Sequence, residues 1–393
     1  MHRTITNHSR FSKYNNFMKK NLLLISLDSV RADVAYSGRL ATVKALRKVG
    51  VTFLNCISSS PLTPVSHATV MTGLQPFNHG IRHLFKEKIR PGIKTLARLM
   101  KENGYATGAI VSCPGMNRWY GHNRGFDYYD DEIPRLTDGS DPLLTIDVKK
   151  RGAALKRANI VAERADQWLD KNKHKSFFLF LHFFDAHWPY ETPEKFGGKN
   201  AYEEEAAYAS HYLGIFLDKL KKAGLWDKTT IICFSDHGED LAGWYSNDKA
   251  GKKLGHPEEE GHGCLLYEQT QKTILIIKDK NLPKGKNISQ QVRLVDIVPT
   301  ILDLFGINYK INGFNGVSLV PAIKNAKNLN LIGYSETFYP EEQKAATRKF
   351  KNTCNLKAIR INNSYKLIWQ QDGELVELYN LKNDPDEKTN LFK

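Results

Sequence analysis

Six short runs of the chain, 21–27, 51–57, 106–111, 176–184, 229–235 and 272–278, are apolar almost throughout. Runs of that length without an alternating polar face are the pattern of strands buried on both sides of a sheet. Between them, 40–49, 92–103, 153–171 and 202–223 carry apolar residues three and four apart with a polar opposite face, which predicts amphipathic helices. Gly104 and Gly224 close two of these segments. A further helix is predicted from Asp296, a good N-cap residue, through Pro299 in its first turn to Gly306. Strands alternating with helices predict an α/β fold, a sheet covered by helices on both faces.

After Gly306 the pattern changes. Gly313, Asn315 and Gly316 form a turn-rich bridge, and 358–361, 365–369 and 375–381 read as short strands joined by turns at Asn362-Asn363 and Asp372-Gly373. The expected division is a basic, disordered arm over 1–19, a catalytic domain over 20–319 and a small antiparallel subdomain over 320–393. Met18 offers an alternative start, and Arg3, Arg10 and Lys13 precede it without an acidic residue.

The length of 393 residues excludes a peptide-sized binding module, and ordinary globular shares of hydrophobic (41%) and charged (25%) residues exclude a disordered or fibrous chain. The formal charge of +15 points to an anionic partner: nucleic acid, an acidic membrane surface, or a phosphate or sulfate ester. No helix-turn-helix spacing, zinc finger or ribonucleoprotein aromatic motif supports specific nucleic-acid binding. Five scattered cysteines encode neither a disulfide framework nor a zinc ribbon, so a reducing, cytoplasmic location is expected. The apolar runs fall well short of the roughly 20 residues of a transmembrane helix. Lys19 and Lys20 before the first run imitate a signal peptide, but the run ends at Asp28 without a small-residue cleavage site, and it reads as a buried strand.

The residues with chemistry to offer sit where predicted strands end. Asp28 follows the first, Asp236 and His237 follow the fifth, and Thr63 lies after the second, just before a short helical stretch at 66–71. In a doubly wound sheet the carboxyl ends of strands line the ligand crevice, so these residues can meet there. Two carboxylates, an imidazole and a hydroxyl suit a divalent cation such as zinc, manganese, magnesium or calcium. Thr63 is the candidate nucleophile, since a metal or base can lower the pKa of its hydroxyl. Taken alone, Thr63 also reads as a helix N-cap and Asp28 as a strand-end turn residue. The run Asp236-His237-Gly238-Glu239 is harder to read as structural, because buried charges and ring nitrogens need partners.

The segment from Thr63-Pro64-Val65-Ser66-His67 to Thr72-Gly73, continuing to Pro76, Asn78, His79 and Gly80, resembles the nucleophile motif of the sulfatases within the alkaline phosphatase superfamily. Leu27-Asp28-Ser29-Val30-Arg31-Ala32-Asp33 is similar to their first metal motif, and Ser235-Asp236-His237-Gly238-Glu239 to the second, followed by Gly261-His262-Gly263 and Leu266-Tyr267-Glu268. The stretch from His182 to Tyr190, with Asp185, His187 and Pro189, resembles the family's internal histidine motif. Val295 to Gly306, Gly316 to Leu319, and Leu378-Tyr379-Asn380-Leu381 with Asn383-Asp384-Pro385 and Asn390-Leu391 are similar to its late helix, turn and ending. The motifs run in family order from about residue 20 onward. The resemblance implies an alkaline-phosphatase-like large mixed sheet and one divalent metal bound by Asp28, Asp236 and His237, with Thr63 as fourth ligand and attacking group. It implies that His187 and His262 contact the non-bridging oxygens of the ester or protonate its leaving group. His67, where many sulfatases place an arginine, would orient Thr63 or the substrate. Arg31 and Asp33 would be supporting or helix-start residues.

The chain departs from the family at the nucleophile. Sulfatases proper carry a cysteine or serine there, in Cys-x-Pro-x-Arg or its serine variant, which is oxidised to formylglycine. Here the residues are Thr63, Val65 and His67, and Cys56 lacks the motif that would follow it. Formylglycine cannot form at a threonine. A hydrated formylglycine expels sulfate through its second hydroxyl, whereas a sulfated threonine must await water attack at sulfur; a phosphorylated threonine can be released by in-line attack at phosphorus. Threonine therefore favours phosphate, phosphodiester or phosphonate esters over sulfate esters. Ser29 replaces the second aspartate that many sulfatases carry, which leaves the site less acidic and favours one metal. Lys249, Lys252 and Lys253 fall in the loop before His262, either as a cationic rim above the site or as a solvated loop. The reading is a metal-dependent hydrolase of a small or polymeric anionic ester. A phospho-group transferase to an alcohol and a non-catalytic anion-binding relative are the alternatives.

Overall fold

The computed structural model describes residues 19–135, 138–141, 144, 156–192, 194–242, 259–308, 313–342, 354–370 and 376–392. Its first strands are β1 (Asn21–Leu27), β2 (Val51–Ile57), β3 (Ala106–Ile110), β4 (Tyr128–Asp130), β5 (Phe177–Phe183) and β6 (Thr229–Phe234). A two-residue ribbon, β7 (Asp240–Leu241) with β8 (Glu260–Gly261), precedes β9 (Lys272–Lys278) and β10 (Lys286–Arg293). Eight of these make one sheet in the order β10-β2-β9-β6-β1-β5-β3-β4. β9 runs antiparallel to both its neighbours and the remaining pairs are parallel, so the sheet is mixed.

β1 is the central strand and every one of its residues is buried. Leu23, Ile25 and Leu27 pack with Val43 and Leu46 of the helix Ala41–Val49 and with the helices Ala158–Asn172 and Ala201–Lys222. Leu22 and Leu24 face the other way, toward Leu96 and Met100, Val70 and Met71, and Ile297 and Ile301. Burial on both faces explains why β1 shows no polar alternation. The six predicted strands match β1, β2, β3, β5, β6 and β9 to within about a residue at each end. β10 escapes such a reading: its Lys-Asn-Ile-Ser-Gln-Gln-Val-Arg alternates because it is an edge strand with one half-exposed side.

Two helix starts differ from expectation. The predicted helix 92–103 begins at Leu96, where the Thr95 hydroxyl caps it by accepting from the Arg98 N–H at 3.2 Å. Asp296 occupies a capping position, but its carboxylate does not cap the helix Ile297–Phe305. It accepts instead from the backbone and guanidinium of Arg293 at 2.7–3.1 Å and from the Val317 N–H at 2.9 Å. Gly306, at φ +62°, closes that helix.

The small antiparallel sheet is β11 (Ile332–Thr337), β12 (Leu356–Ile361), β13 (Tyr365–Gln370) and β14 (Val376–Asn380), in that spatial order. Asn362 and Asn363, both left-handed, turn β12 into β13. β11 joins this sheet to the catalytic end of the fold: Ser335 Oγ donates to the Ser58 carbonyl at 2.6 Å and the Glu336 N–H to the Ser59 carbonyl at 2.9 Å. The predicted arm before Lys19, residues 153–155, the Asp372-Gly373 turn and Lys249, Lys252 and Lys253 lie outside the described residues. Among the described residues no helix is long and apolar enough to cross a membrane.

Candidate active site and metal centre

β1 and β6 are parallel neighbours, with Ser26 beside Phe234, so Asp28 and Asp236 emerge at the same end of the sheet. The Asp28 carboxylate takes the Ser29 hydroxyl at 2.9 Å on one oxygen and His182 Nε2 at 3.0 Å on the other. His182 stands on β5 beside Ser26, and its Nδ1 accepts the Ser112 N–H at 3.2 Å. That bond fixes the tautomer in which Nε2 carries the proton and donates it to Asp28. Burial opposes charge on Asp28, but the His182 hydrogen bond prevails and holds its carboxyl well below the usual range.

Asp236 is the opposite case. One of its oxygens accepts the backbone N–H of Ser29 at 3.2 Å and of His237 at 2.9 Å. The other, Oδ2, is buried without a hydrogen-bond partner, although His237 Nε2 lies 3.2 Å away outside hydrogen-bonding geometry. Burial, and then the negative charge of Asp28, push the Asp236 carboxyl well above its ordinary pKa. Gly238 is required next to this pair, because a Cβ there would lie 1.9 Å from the Gln269 carbonyl oxygen.

The helix Thr63–Thr72 brings the hydroxyl. Pro64 favours its start, Gly73 in the left-handed conformation ends it, and all ten of its residues are buried. Leu62 holds the capping position, so Thr63 is the first helical residue and its side chain caps nothing. The N-cap reading of Thr63 thus gives way to another geometry: its Oγ1 faces His237 Nε2 at 3.4 Å. Ser66, one turn on, donates to the Asp236 carbonyl at 2.8 Å and pins this helix to the end of β6.

His67 lies between the Thr63 helix and β1. It is fully buried, with Nδ1 on the Thr63 carbonyl at 2.8 Å and Nε2 against Ser26 Oγ at 2.9 Å. Burial holds its pKa well below the ordinary value. It fastens the first turn of the Thr63 helix to β1, and its Nδ1 also lies 3.5 Å from Asp236 Oδ2.

Two further imidazoles lie next to His237. His187 stacks on Phe184 at 4.2 Å and its Nδ1–H donates to the Trp188 carbonyl at 2.5 Å. His262 lies 4.8 Å from the His187 ring and 4.0 Å from His237. Its Nδ1–H donates to Glu239 at 2.9 Å, and the second Glu239 oxygen takes the Tyr190 hydroxyl at 2.8 Å. Burial lowers the His187 pKa and pushes His262 down to about 4. With Nδ1 engaged in each case, Nε2 is the atom His187 and His262 have left for a ligand.

Asp28, Asp236 and His237 can each offer one ligand atom with all three atoms within 4.8 Å of one another. Two facing carboxylates, an orphaned buried oxygen and an imidazole nitrogen are a donor set that fits a divalent cation. His67 and His182 also come within that reach of Asp28, but both nitrogens of each are already hydrogen-bonded. Sequence reasoning did not assign His182, Glu239 or Tyr190. The signal for His182 is its place as the one ionisable residue within the buried strand Phe177–Phe183.

A family model described as Sulfatase matches residues 20–307, and one described as N-sulphoglucosamine sulphohydrolase, C-terminal, matches 263–393. Arylsulfatase K of Bos taurus is 25% identical over 458 residues, covering 94% of this chain and 78% of its own. Arylsulfatase D of Homo sapiens is 24% identical, covering 79% of this chain and 70% of its own. The structure of BT4656 in complex with its substrate D-glucosamine-2-N,6-O-disulfate aligns at a TM-score of 0.72 and 17% identity, over 95% of this chain and 93% of the other. The phosphonate monoester hydrolase of Agrobacterium radiobacter aligns at 0.69 and 19%, over 95% and 91%.

Proposed function

The chain belongs to the sulfatase family and is an ester hydrolase of that family, and from this premise we propose that it passes the phosphoryl or sulfuryl group of an anionic ester through Thr63 to water, with phosphorus esters favoured. The observation that carries the reading is the Thr63 hydroxyl at the start of a buried helix, 3.4 Å from His237 in the space that Asp28 and Asp236 share.

Asp28, Asp236, His237 and Thr63 are the residues that would hold one divalent ion, calcium, manganese, magnesium or zinc. When bound, such an ion lowers the pKa of a coordinated hydroxyl and offsets the negative charge of the ester. Thr63 Oγ1 releases its proton to solvent and attacks phosphorus or sulfur; the bond to the leaving oxygen breaks as the bond to Thr63 forms. His187 and His262, neutral in the free protein, gain proton affinity when an anionic ester lies against them, and one takes up a proton from solvent at Nε2 and delivers it to the leaving oxygen. Water then gives a proton to that histidine and attacks phosphorus or sulfur; the bond to Thr63 Oγ1 breaks, and Thr63 recovers its hydroxyl by taking up a proton. Glu239 and Tyr190 hold His262 in the orientation this needs.

Phosphorus is favoured by the chemistry of threonine, which lacks the second hydroxyl of a hydrated formylglycine. The arylsulfatase relatives support sulfate esters as the second reading. The test is a panel of chromogenic sulfate, phosphate monoester, phosphodiester and phosphonate esters with manganese, zinc and calcium, combined with acid quenching and mass spectrometry of the peptide holding Thr63. Turnover with a phosphorylated or sulfated Thr63 supports the proposal. Turnover that survives in Thr63→Ala overturns it.

A further inference from the structure

Next to the turn that packs on Thr63, segments hydrogen-bonded to one another carry Lys88, Arg90 and Arg124, and among the described residues no carboxylate pairs with these three. A Cβ built on Gly115, in that turn, would lie 3.5 Å from Thr63 Cβ. Four residues on, at most about 14 Å of chain away, Trp119 is 43% exposed. Indole rings are ordinarily well buried. Lys88 Nζ lies over this one, 4.8 Å from its centroid.

Backbone hydrogen bonds fasten these segments together. The Ile89 N–H donates to the Tyr120 carbonyl and the Arg90 N–H to the His79 carbonyl, both at 2.9 Å, while the Arg124 guanidinium reaches the Arg90 carbonyl at 3.0 Å. Among the described residues no carboxylate pairs with Lys88, Arg90 or Arg124. The nearby acids are engaged elsewhere: Glu87 with His83 and the Arg82 N–H, and Asp131 with Arg118. Holding like charges in one place costs electrostatic energy that a bound anion recovers. The exposed indole adds a flat apolar face suited to the C–H face of a sugar ring.

We propose that Lys88, Arg90, Arg124 and Trp119 form a second binding surface, outside the catalytic pocket, for an anionic polysaccharide. The cations take the ester groups of units flanking the one at Thr63, and Trp119 stacks on a sugar ring. This rests on the reading of Thr63 as the reacting centre of an ester hydrolase and adds a polymeric substrate to it.

The experiment measures binding of fluorescein-labelled dextran sulfate to the full chain by anisotropy at low and moderate salt, with uncharged dextran as control, alongside kinetics on a small chromogenic ester. Lys88→Gln with Arg124→Gln should weaken dextran sulfate binding about tenfold, and Trp119→Ala about threefold, leaving kcat and KM for the small ester unchanged. Lys88→Gln alone, at an exposed position, should still weaken binding about threefold and keeps the test decisive if the Arg124 variant does not fold. Wild-type affinity in all variants overturns the proposal. So does equally tight binding of single-stranded DNA or anionic vesicles with the same sensitivity to substitution, which would mark a general anion surface. Failure of the wild type to cleave any small ester counts against the hydrolase reading alone, because dextran sulfate binding is measured without turnover.

Discussion

His182, in the middle of the sheet, donates its Nε2–H to the carboxylate of Asp28 at 3.0 Å, and the Ser112 N–H holds its other nitrogen. Such a bond would aim the carboxylate that we propose to hold the metal. His182→Phe suits the aromatic surroundings of β5, so the fold should persist, while affinity for manganese or zinc should fall by about 10–100-fold. Chelator competition on the purified variant measures this. Unchanged metal affinity would remove His182 from the site.

Thr63→Ala should lower turnover at least about a thousandfold, and Thr63→Ser should restore a large part of it, because serine returns an attacking hydroxyl. Metal content should fall less in Thr63→Ala than in Asp236→Asn. Kinetics and elemental analysis on the same preparations check both statements. A Thr63→Ala enzyme within a few-fold of wild type would place the nucleophile elsewhere.

Asp236 keeps a buried oxygen without a hydrogen-bond partner, close to a second buried carboxylate. Such an arrangement is costly in the absence of a cation. In the presence of a chelator, Asp236→Asn should therefore raise stability over wild type by about 1–3 kcal/mol while abolishing activity. Thermal unfolding of both proteins without metal is the measurement, and a lower melting temperature for the variant would contradict the argument.

Glu259, buried at the base of the loop that carries His262, accepts the Cys264 N–H at 2.6 Å and the Leu265 N–H at 3.0 Å. Burial outweighs these bonds and pushes its carboxyl up to about 8, from an ordinary value of 4.5. Between those values the native state retains a proton that the unfolded chain has released. This contribution to stability is complete below about pH 4.5 and is lost as the pH rises through about 8. Glu259→Gln keeps an acceptor oxygen and cannot ionise, so its stability should lose the part of this slope due to Glu259, on the order of a few kcal/mol. Unfolding in urea at several pH values should show the two proteins diverging toward alkaline pH, and parallel curves would refute the assignment.

The buried strands were legible because Leu22 to Leu27 and Phe177 to Phe183 are apolar on both sides, and no polar alternation is needed where both faces are covered. Lys286–Arg293 was not, since an edge strand with polar residues looks like a loop until β2 pairs with it. At the site, the charged strand ends Asp28 and Asp236 stood out as residues, but their opposite titration did not, because it arises from His182 and from each other across the sheet. His67, one turn after Thr63, was expected to orient Thr63 or the substrate, and only the helix register shows its ring between the Thr63 carbonyl and Ser26. Asp296 is a capping residue type at a helix start, yet Arg293 three residues earlier claims its carboxylate.

The sheet order has a consequence for biosynthesis. β1 is made first, but both its neighbours, Phe177–Phe183 and Thr229–Phe234, lie far downstream, the second ending about 200 residues later. At roughly 5–20 residues per second, this fully buried strand leaves the ribosome about 10–40 s before its partners are complete. A short apolar strand without proline is an aggregation hazard for that interval. Lys19 and Lys20, which in the fold reach the Asn103 carbonyl and Asp279, put two positive charges directly before the strand, the flanking pattern that opposes such aggregation.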